Sequence, residues 1–382
     1  MRYQVISADC HIDLIWLPPD LFTSNATPAM KERMPYITDT PEGKVWVSKK
    51  GARFGFANGM GSAGRKYVPG QIHRSDRMES AGLYSDGAKG IRRLTDPALR
   101  LKDQDRDGIQ AEVLYGILGA GNRLNDAEAA VEVYQIYNEW LANFCKHSPE
   151  CFIGLASLTP FDLNAAVAEV RRAAKLGLKA LEFATSPDMV PLYEPHWEPL
   201  WQAVDETGMS MHFHTTGGGR QAPRDHLPFR AQRAASAVSI TGFQLVTAQF
   251  LMGVIYGGVL ERYPNIRIVL GESGIGWIPY ILDRMDYEYE DQFHNDLGLT
   301  MKPSDYWRRQ CRATFQVDEV GVELLHRIGE DTVMWGSDFP HPDGVWPDSQ
   351  DYIQKQFGHL PERVRNKIVC ENAMAFYGLK NG

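Results

Sequence analysis

The chain has 382 residues, 43% of them hydrophobic, enough for a large buried core. Its formal charge of −8 is spread along the sequence, which argues against nucleic acid or an anionic membrane as a partner. No apolar run of about eighteen residues and no signal-peptide core are visible, and the five cysteines show no CxxC spacing, so neither a disulfide framework nor a structural zinc site is expected; a cytoplasmic protein acting on a small molecule fits.

In chain order, the first strand signal is Tyr3–Ala8, and it runs directly into Asp9-Cys10-His11-Ile12-Asp13. Residues 18–100 are irregular and rich in Gly, Pro, Arg and Tyr. They read as a long insertion, a lid or a subunit contact, with a small hairpin around Lys44–Val47 and Arg53–Phe56. Short apolar runs then recur at Ala111–Ile117, Phe152–Leu158, Leu178–Phe183, Ser210–His214, Ile266–Gly271, Ala313–Gln316 and Val333–Trp335. Helix-period segments separate them, at Asp126–Lys146, Leu163–Leu176, Glu194–Thr207, Arg233–Tyr263, Trp277–Tyr289, Val320–Ile328 and Gln350–Phe357. Asp126 and Asp162 are placed to cap two of these helices, and Gly177 to end one. Eight strands alternating with helices predict an α/β fold: a single (β/α)8 TIM barrel over residues 1–382, with the 18–100 insertion after strand 1. No glycine-rich nucleotide motif follows any strand.

Barrel enzymes carry their chemistry at the C-terminal ends of the strands. The residues found there are Asp9, His11 and Asp13 after the first run, Tyr115 after the second, and Glu182 and Thr185 after the fourth. His212 and His214 end the fifth, Glu272 and Ser273 follow the sixth, Gln316 and Asp318 the seventh, and Asp338 and His341 the eighth. Imidazoles and carboxylates gathered in this way are the ligand set of Zn²⁺, Mn²⁺ or Fe²⁺. Strand alternation puts Asp9 and His11 on one face with Cys10 turned away, and likewise His212 and His214 around Phe213. An ordinary hydrogen-bonded interior histidine is the competing reading for His11 or His212. Trp277 is a candidate pocket wall, with core packing as its alternative. Gly217-Gly218-Gly219-Arg220 reads as a flexible loop or an anion nest, and His73, Arg74, Arg65 and Lys66 as a solvated basic loop or a carboxylate contact.

Four stretches carry a family resemblance: Ser-Ala-Asp-Cys-His at 7–11, Met-His-Phe-His-Thr at 211–215, Gly-Glu-Ser-Gly-Ile-Gly-Trp-Ile-Pro at 271–279, and Met-Trp-Gly-Ser-Asp-Phe-Pro-His-Pro at 334–342. In this order they resemble the amidohydrolase-related (amidohydrolase 2) branch of the amidohydrolase superfamily, which includes the aminocarboxymuconate-semialdehyde decarboxylase-like enzymes. The resemblance implies a barrel holding one divalent metal ion, most readily Zn²⁺ or Mn²⁺, on Asp9, His11, His214 and Asp338, and a homodimer or higher homo-oligomer. Asp9 stands where many members have His, which hardens the site towards Mn²⁺ or Mg²⁺. Glu272 stands where decarboxylases of the group typically have His. With metal-activated water, Glu272 and Asp338 as proton shuttles make hydrolysis of a small organic acid or aromatic compound the leading expectation. Nonoxidative decarboxylation of an aromatic or muconate-type acid is the alternative. His212, His341 and Trp277 are the expected substrate contacts.

Overall fold

The computed structural model describes residues 2–117, 119–215 and 226–381; the Gly217–Arg220 stretch lies outside them. Eleven strands are present among the described residues. They are β1 (Ile6–His11), β2 (Tyr36–Thr40), β3 (Gly43–Val47), β4 (Arg53–Phe56), β5 (Ala111–Tyr115), β6 (Phe152–Leu158), β7 (Ala180–Phe183), β8 (Ser210–His214), β9 (Ile268–Gly271), β10 (Cys311–Phe315) and β11 (Val333–Trp335). Eight form one sheet in the order β1-β5-β6-β7-β8-β9-β10-β11, and every recorded pairing within it is parallel. That is the predicted barrel, with interleaved helices outside and a core contributed by nearly every strand.

The barrel is closed by the chain just beyond β11, because β11 itself is only three residues long. His11 N donates to Phe339 O (2.7 Å) and Asp338 N to Asp9 O (2.9 Å), so the seam is stitched at the two ligand-rich segments. Gly336 permits this approach: a Cβ there would lie 2.5 Å from Asp9 Cβ. The first strand ends later than expected, and Asp9 and His11 belong to β1 rather than following it. Pairing with β5 continues through His11↔Tyr115 and keeps these residues in the ladder.

The two predicted capping aspartates accept the expected bonds, from Ala129 N (3.3 Å) to Asp126 and from Ala165 N (2.9 Å) to Asp162. Gly177 ends the helix Leu163–Leu176 at φ 88°. The segment expected as one helix over 233–263 is several, Phe229–Gly242, Val246–Tyr256 and Val259–Arg262 among them. By length and composition, the stretch Phe229–Tyr256 is apolar enough to cross a membrane, although serines, threonines and arginines interrupt its apolar runs. The 18–100 segment carries more structure than a loop. β2, β3 and β4 form an antiparallel sheet, and helices cover His73–Ser80, Leu83–Ala88 and Pro97–Asp107. It reaches the barrel mouth at Gly61, where an added Cβ would meet Pro342 at 3.2 Å.

Candidate metal centre

Asp9, His11, His214 and Asp338 arrive from three strand ends, and all are fully buried. His11 Nε2 lies 3.2 Å from Asp9 Oδ1 and 3.0 Å from Asp338 Oδ1, and His214 Nε2 lies 3.5 Å from Asp9 Oδ1. None of these four atoms has a hydrogen-bond partner. Two atoms bound to one ion at about 2.0–2.2 Å stand about 3.0–3.5 Å apart, so the spacing of Asp9, His11 and His214 fits a single divalent cation, with Asp338 adjoining it through His11.

His214 sharpens the point. Its Nδ1 lies 3.1 Å from the Thr215 carbonyl oxygen, which only accepts, so Nδ1 carries the proton. Deprotonated at Nε2, as a metal ligand must be, the ring turns a lone pair towards the oxygens of Asp9 and of Glu272, the latter 3.8 Å away. Lone pairs facing lone pairs in a buried site need a cation between them. The buried His/Asp group can therefore hold one divalent metal ion.

Its supports are non-local. Asp9 Oδ2 accepts from Thr314 Oγ1 (2.6 Å) and Glu272 N (2.8 Å), which aims Oδ1 at the cation position. Gly271 leaves room for His214, whose Cδ2 would be 2.7 Å from an added Cβ. Below the seam, buried Arg100 pairs with Glu112 (2.7 Å) and donates to His11 O (2.9 Å). Burial alone would raise Asp9, but His214 and His11 hold it below the usual carboxylate range.

Glu272 and Asp338 share an unusual backbone. They sit at φ 48° and 56°; the other two non-glycine residues with positive φ among those described are asparagines, which tolerate it. Such strain, about 1–3 kcal/mol each, collects at functional sites. The Glu272 carboxylate accepts from Thr215 Oγ1 (2.8 Å), and burial followed by the nearby Asp338 and Asp343 carboxylates raises its pKa well above the usual range.

The expected substrate contacts are placed differently. His212 lies one layer deeper than His214. Tyr115 Oη (2.9 Å) and Ser210 Oγ (3.1 Å) occupy its two ring nitrogens, and burial lowers its pKa to about 3. It is a neutral interior histidine with no nitrogen left for a substrate. His341 stacks on His11 at 4.1 Å, with Nδ1 3.1 Å from Asp338 and Nε2 3.1 Å from Asp13. Burial opposes its charge, but Asp338 and Asp13 outweigh it and raise its pKa well above the ordinary value. Its Nε2 is hydrogen-bonded with Asp13, while its Nδ1 lies only at ion-pair distance from Asp338. Trp277 is partly buried and spends its indole N–H on Ser273 O (2.7 Å). Arg74, from the basic insertion, is tied to Asp348 (3.0 Å). Asp318 caps the helix Glu319–Glu323 and accepts from the Ile275 and Gly276 amides. The supporting role of Thr314 carried no motif signal; Asp13 and Thr215 stand in the ligand-rich stretches, but their partners are not marked there.

A family model described as "Amidohydrolase" matches residues 8–379. Among curated proteins the chain is similar to a 2-amino-3-carboxymuconate-6-semialdehyde decarboxylase of Dictyostelium discoideum, 24% identical over 293 residues, covering 74% of this chain and 77% of that protein. It is also similar to a gamma-resorcylate decarboxylase of Rhizobium radiobacter, 25% identical over 305 residues, covering 73% of this chain and 86% of the relative. Among solved structures it resembles a 5-carboxyvanillate decarboxylase of Novosphingobium aromaticivorans with bound manganese and 3-methoxy-4-hydroxy-5-nitrobenzoic acid. The TM-score is 0.68 at 19% identity, covering 99% of this chain and 97% of the other.

Proposed function

The chain belongs to the amidohydrolase family and is an enzyme of that superfamily, and from that premise we propose that it is a metal-dependent nonoxidative decarboxylase of a small aromatic or muconate-type acid. The observation that carries this reading is the clustering of buried donor atoms without protein partners, on Asp9, His11 and His214 with Asp338 beside His11, and with Glu272 against them. Decarboxylase activity in the two curated relatives supports it over hydrolysis, the leading expectation from the sequence.

Asp9, His11, His214 and Asp338 would hold a manganese or zinc ion. When bound, the ion supplies positive charge that fixes the substrate's acid group and an adjacent oxygen and draws electron density towards them. His341 and Thr314 keep Asp338 and Asp9 aimed. The bond between the ring carbon and the carboxyl carbon breaks and leaves its electron pair on the ring. That pair takes a proton from the Glu272 carboxyl, carbon dioxide departs, and water restores the proton to Glu272. Thr215 holds the Glu272 carboxyl in place for this transfer.

The test is to incubate manganese-loaded protein with hydroxybenzoates in D₂O. Release of carbon dioxide with one deuterium on the vacated ring carbon is expected, and Glu272→Gln should slow it by about 10²–10⁴-fold. Oxygen incorporation from H₂¹⁸O without carbon dioxide would instead establish hydrolysis and overturn the reading.

A further inference from the structure

At the end of the barrel away from the metal centre, β7, β8 and β9 begin. Lys179 precedes β7, Ser210 opens β8 and Arg267 precedes β9, and the parallel register Ala180↔Ser210 and Met211↔Ile268 brings the three level. They line a cavity of about 230 Å³, walled on its other side by Phe376 and Gly378 at the end of the helix Asn372–Tyr377. Ser210 and His214 are four residue steps apart along β8, so the cavity begins about 13 Å from the metal centre.

The cavity carries positive charge without a counter-ion. Among the described residues neither Lys179 nor Arg267 makes an ion pair. Arg267 donates to two carbonyl oxygens, Phe376 O (2.6 Å) and Gly208 O (3.5 Å), and its guanidinium lies 4.7 Å from the Phe376 ring centroid. These contacts orient the group and leave its charge unneutralised. Desolvation holds Arg267 below the usual arginine value, and no carboxylate acts on it appreciably. Arg312 of β10 feels the charge of Arg267, and the one carboxylate that acts on Arg312, Asp331, is paired with Lys367 (2.5 Å). In a chain of net charge −8, this is a local reversal of sign around a formed cavity. Ser210 adds a directed group. It is buried, and among the described residues its hydroxyl has one partner, His212 Nε2 (3.1 Å). A hydroxyl makes up to three hydrogen bonds, so capacity remains for an occupant.

We propose that this cavity is a phosphate-binding site, in which Lys179 and Arg267 neutralise a phosphate group and the Ser210 hydroxyl bonds one of its oxygens. Two full positive charges suit a multivalent oxyanion better than a single carboxylate. The volume takes a phosphate group with several waters, each water occupying about 30 Å³. The site lies at the opposite end from the chemistry, so it does not depend on the decarboxylase reading.

The experiment titrates manganese-loaded protein with inorganic phosphate, glycerol 3-phosphate and acetate at constant ionic strength, by calorimetry. Wild type should bind phosphate at least about tenfold more tightly than acetate, one charge-assisted contact being worth about that factor. Lys179→Met and Arg267→Gln should each weaken phosphate about tenfold. Lys179 is exposed, so its loss leaves the fold alone, and the Gln keeps a donor for the Phe376 carbonyl while removing the charge. His214→Ala, which disables the metal centre, should leave phosphate affinity within about twofold of wild type. Tighter binding of glycerol 3-phosphate assigns the group to a metabolite ester, and equal or weaker binding assigns it to the free ion. Phosphate binding that survives both cavity substitutions, or that disappears in His214→Ala, belongs to the metal centre and overturns the proposal, as does the absence of any preference over acetate.

Discussion

The two histidines of β8 are two residues apart, share a face and are equally buried, yet they end in opposite situations. His212, in the deeper layer, has both ring nitrogens engaged by Tyr115 and Ser210. His214, at the mouth, has one nitrogen engaged and the other facing only oxygen atoms. The contrast extends to their surroundings. Towards the opposite end, Asp107 is bonded by the Ser349 amide (2.9 Å), whereas at the mouth Asp338 leaves both carboxylate oxygens without a hydrogen bond. Buried polar groups cost stability unless partnered, so the partnered ones maintain the fold and the unpartnered ones await a ligand. Residue type does not separate the two regions; completion of hydrogen bonding does.

The largest expected effect breaks the mouth alone. His214→Ala or Asp338→Asn should lower turnover by about 10³-fold or more, equivalent to about 4 kcal/mol, and should abolish stoichiometric metal in elemental analysis. The thermal midpoint of the metal-free protein should stay or rise, since each change removes a costly unpartnered group. Full metal content in both variants would erase the distinction between mouth and interior.

His212→Phe is the converse. It strands the buried Tyr115 and Ser210 hydroxyls, so unfolding in urea should show a loss of about 2–3 kcal/mol, with turnover reduced less than about tenfold. A collapse of activity at unchanged stability would move His212 into the site.

The smallest effect is a slope. Burial pushes Asp107 up to about 7, against an unfolded value of about 3.9. Between these values the folded chain holds a proton that the unfolded chain has released, so stability falls as pH rises through this window. Asp107→Asn should flatten the dependence of unfolding free energy between about pH 4 and pH 7 by up to about 1.4 kcal/mol per pH unit. Parallel curves for the two proteins would show that Asp107 is ionised throughout.

Much of this was legible in the order of residues. Alternating strand and helix periods predict the barrel, and the Asp9–His11 and Asp338 segments mark its first and last strands as neighbours. Strand alternation also puts Asp9 and His11 on a common face, because side-chain direction follows from local backbone geometry. Depth is another matter. Alternation gives His212 and His214 the same face and cannot say which nitrogen finds a partner, since Tyr115 and Ser210 on one side and Asp9 and Glu272 on the other are brought there by the closed sheet.

The sequence by itself therefore determined the fold class and the ligand-bearing segments, through periodicity and residue chemistry acting over a few positions. Only the tertiary structure decided which polar atoms are spent and which are free: Thr314 aiming Asp9, Asp13 bracing His341, and Lys179 and Arg267 facing one cavity. Hydrogen-bond completion depends on groups far apart along the chain and angstroms apart in space, and no local pattern encodes that distance.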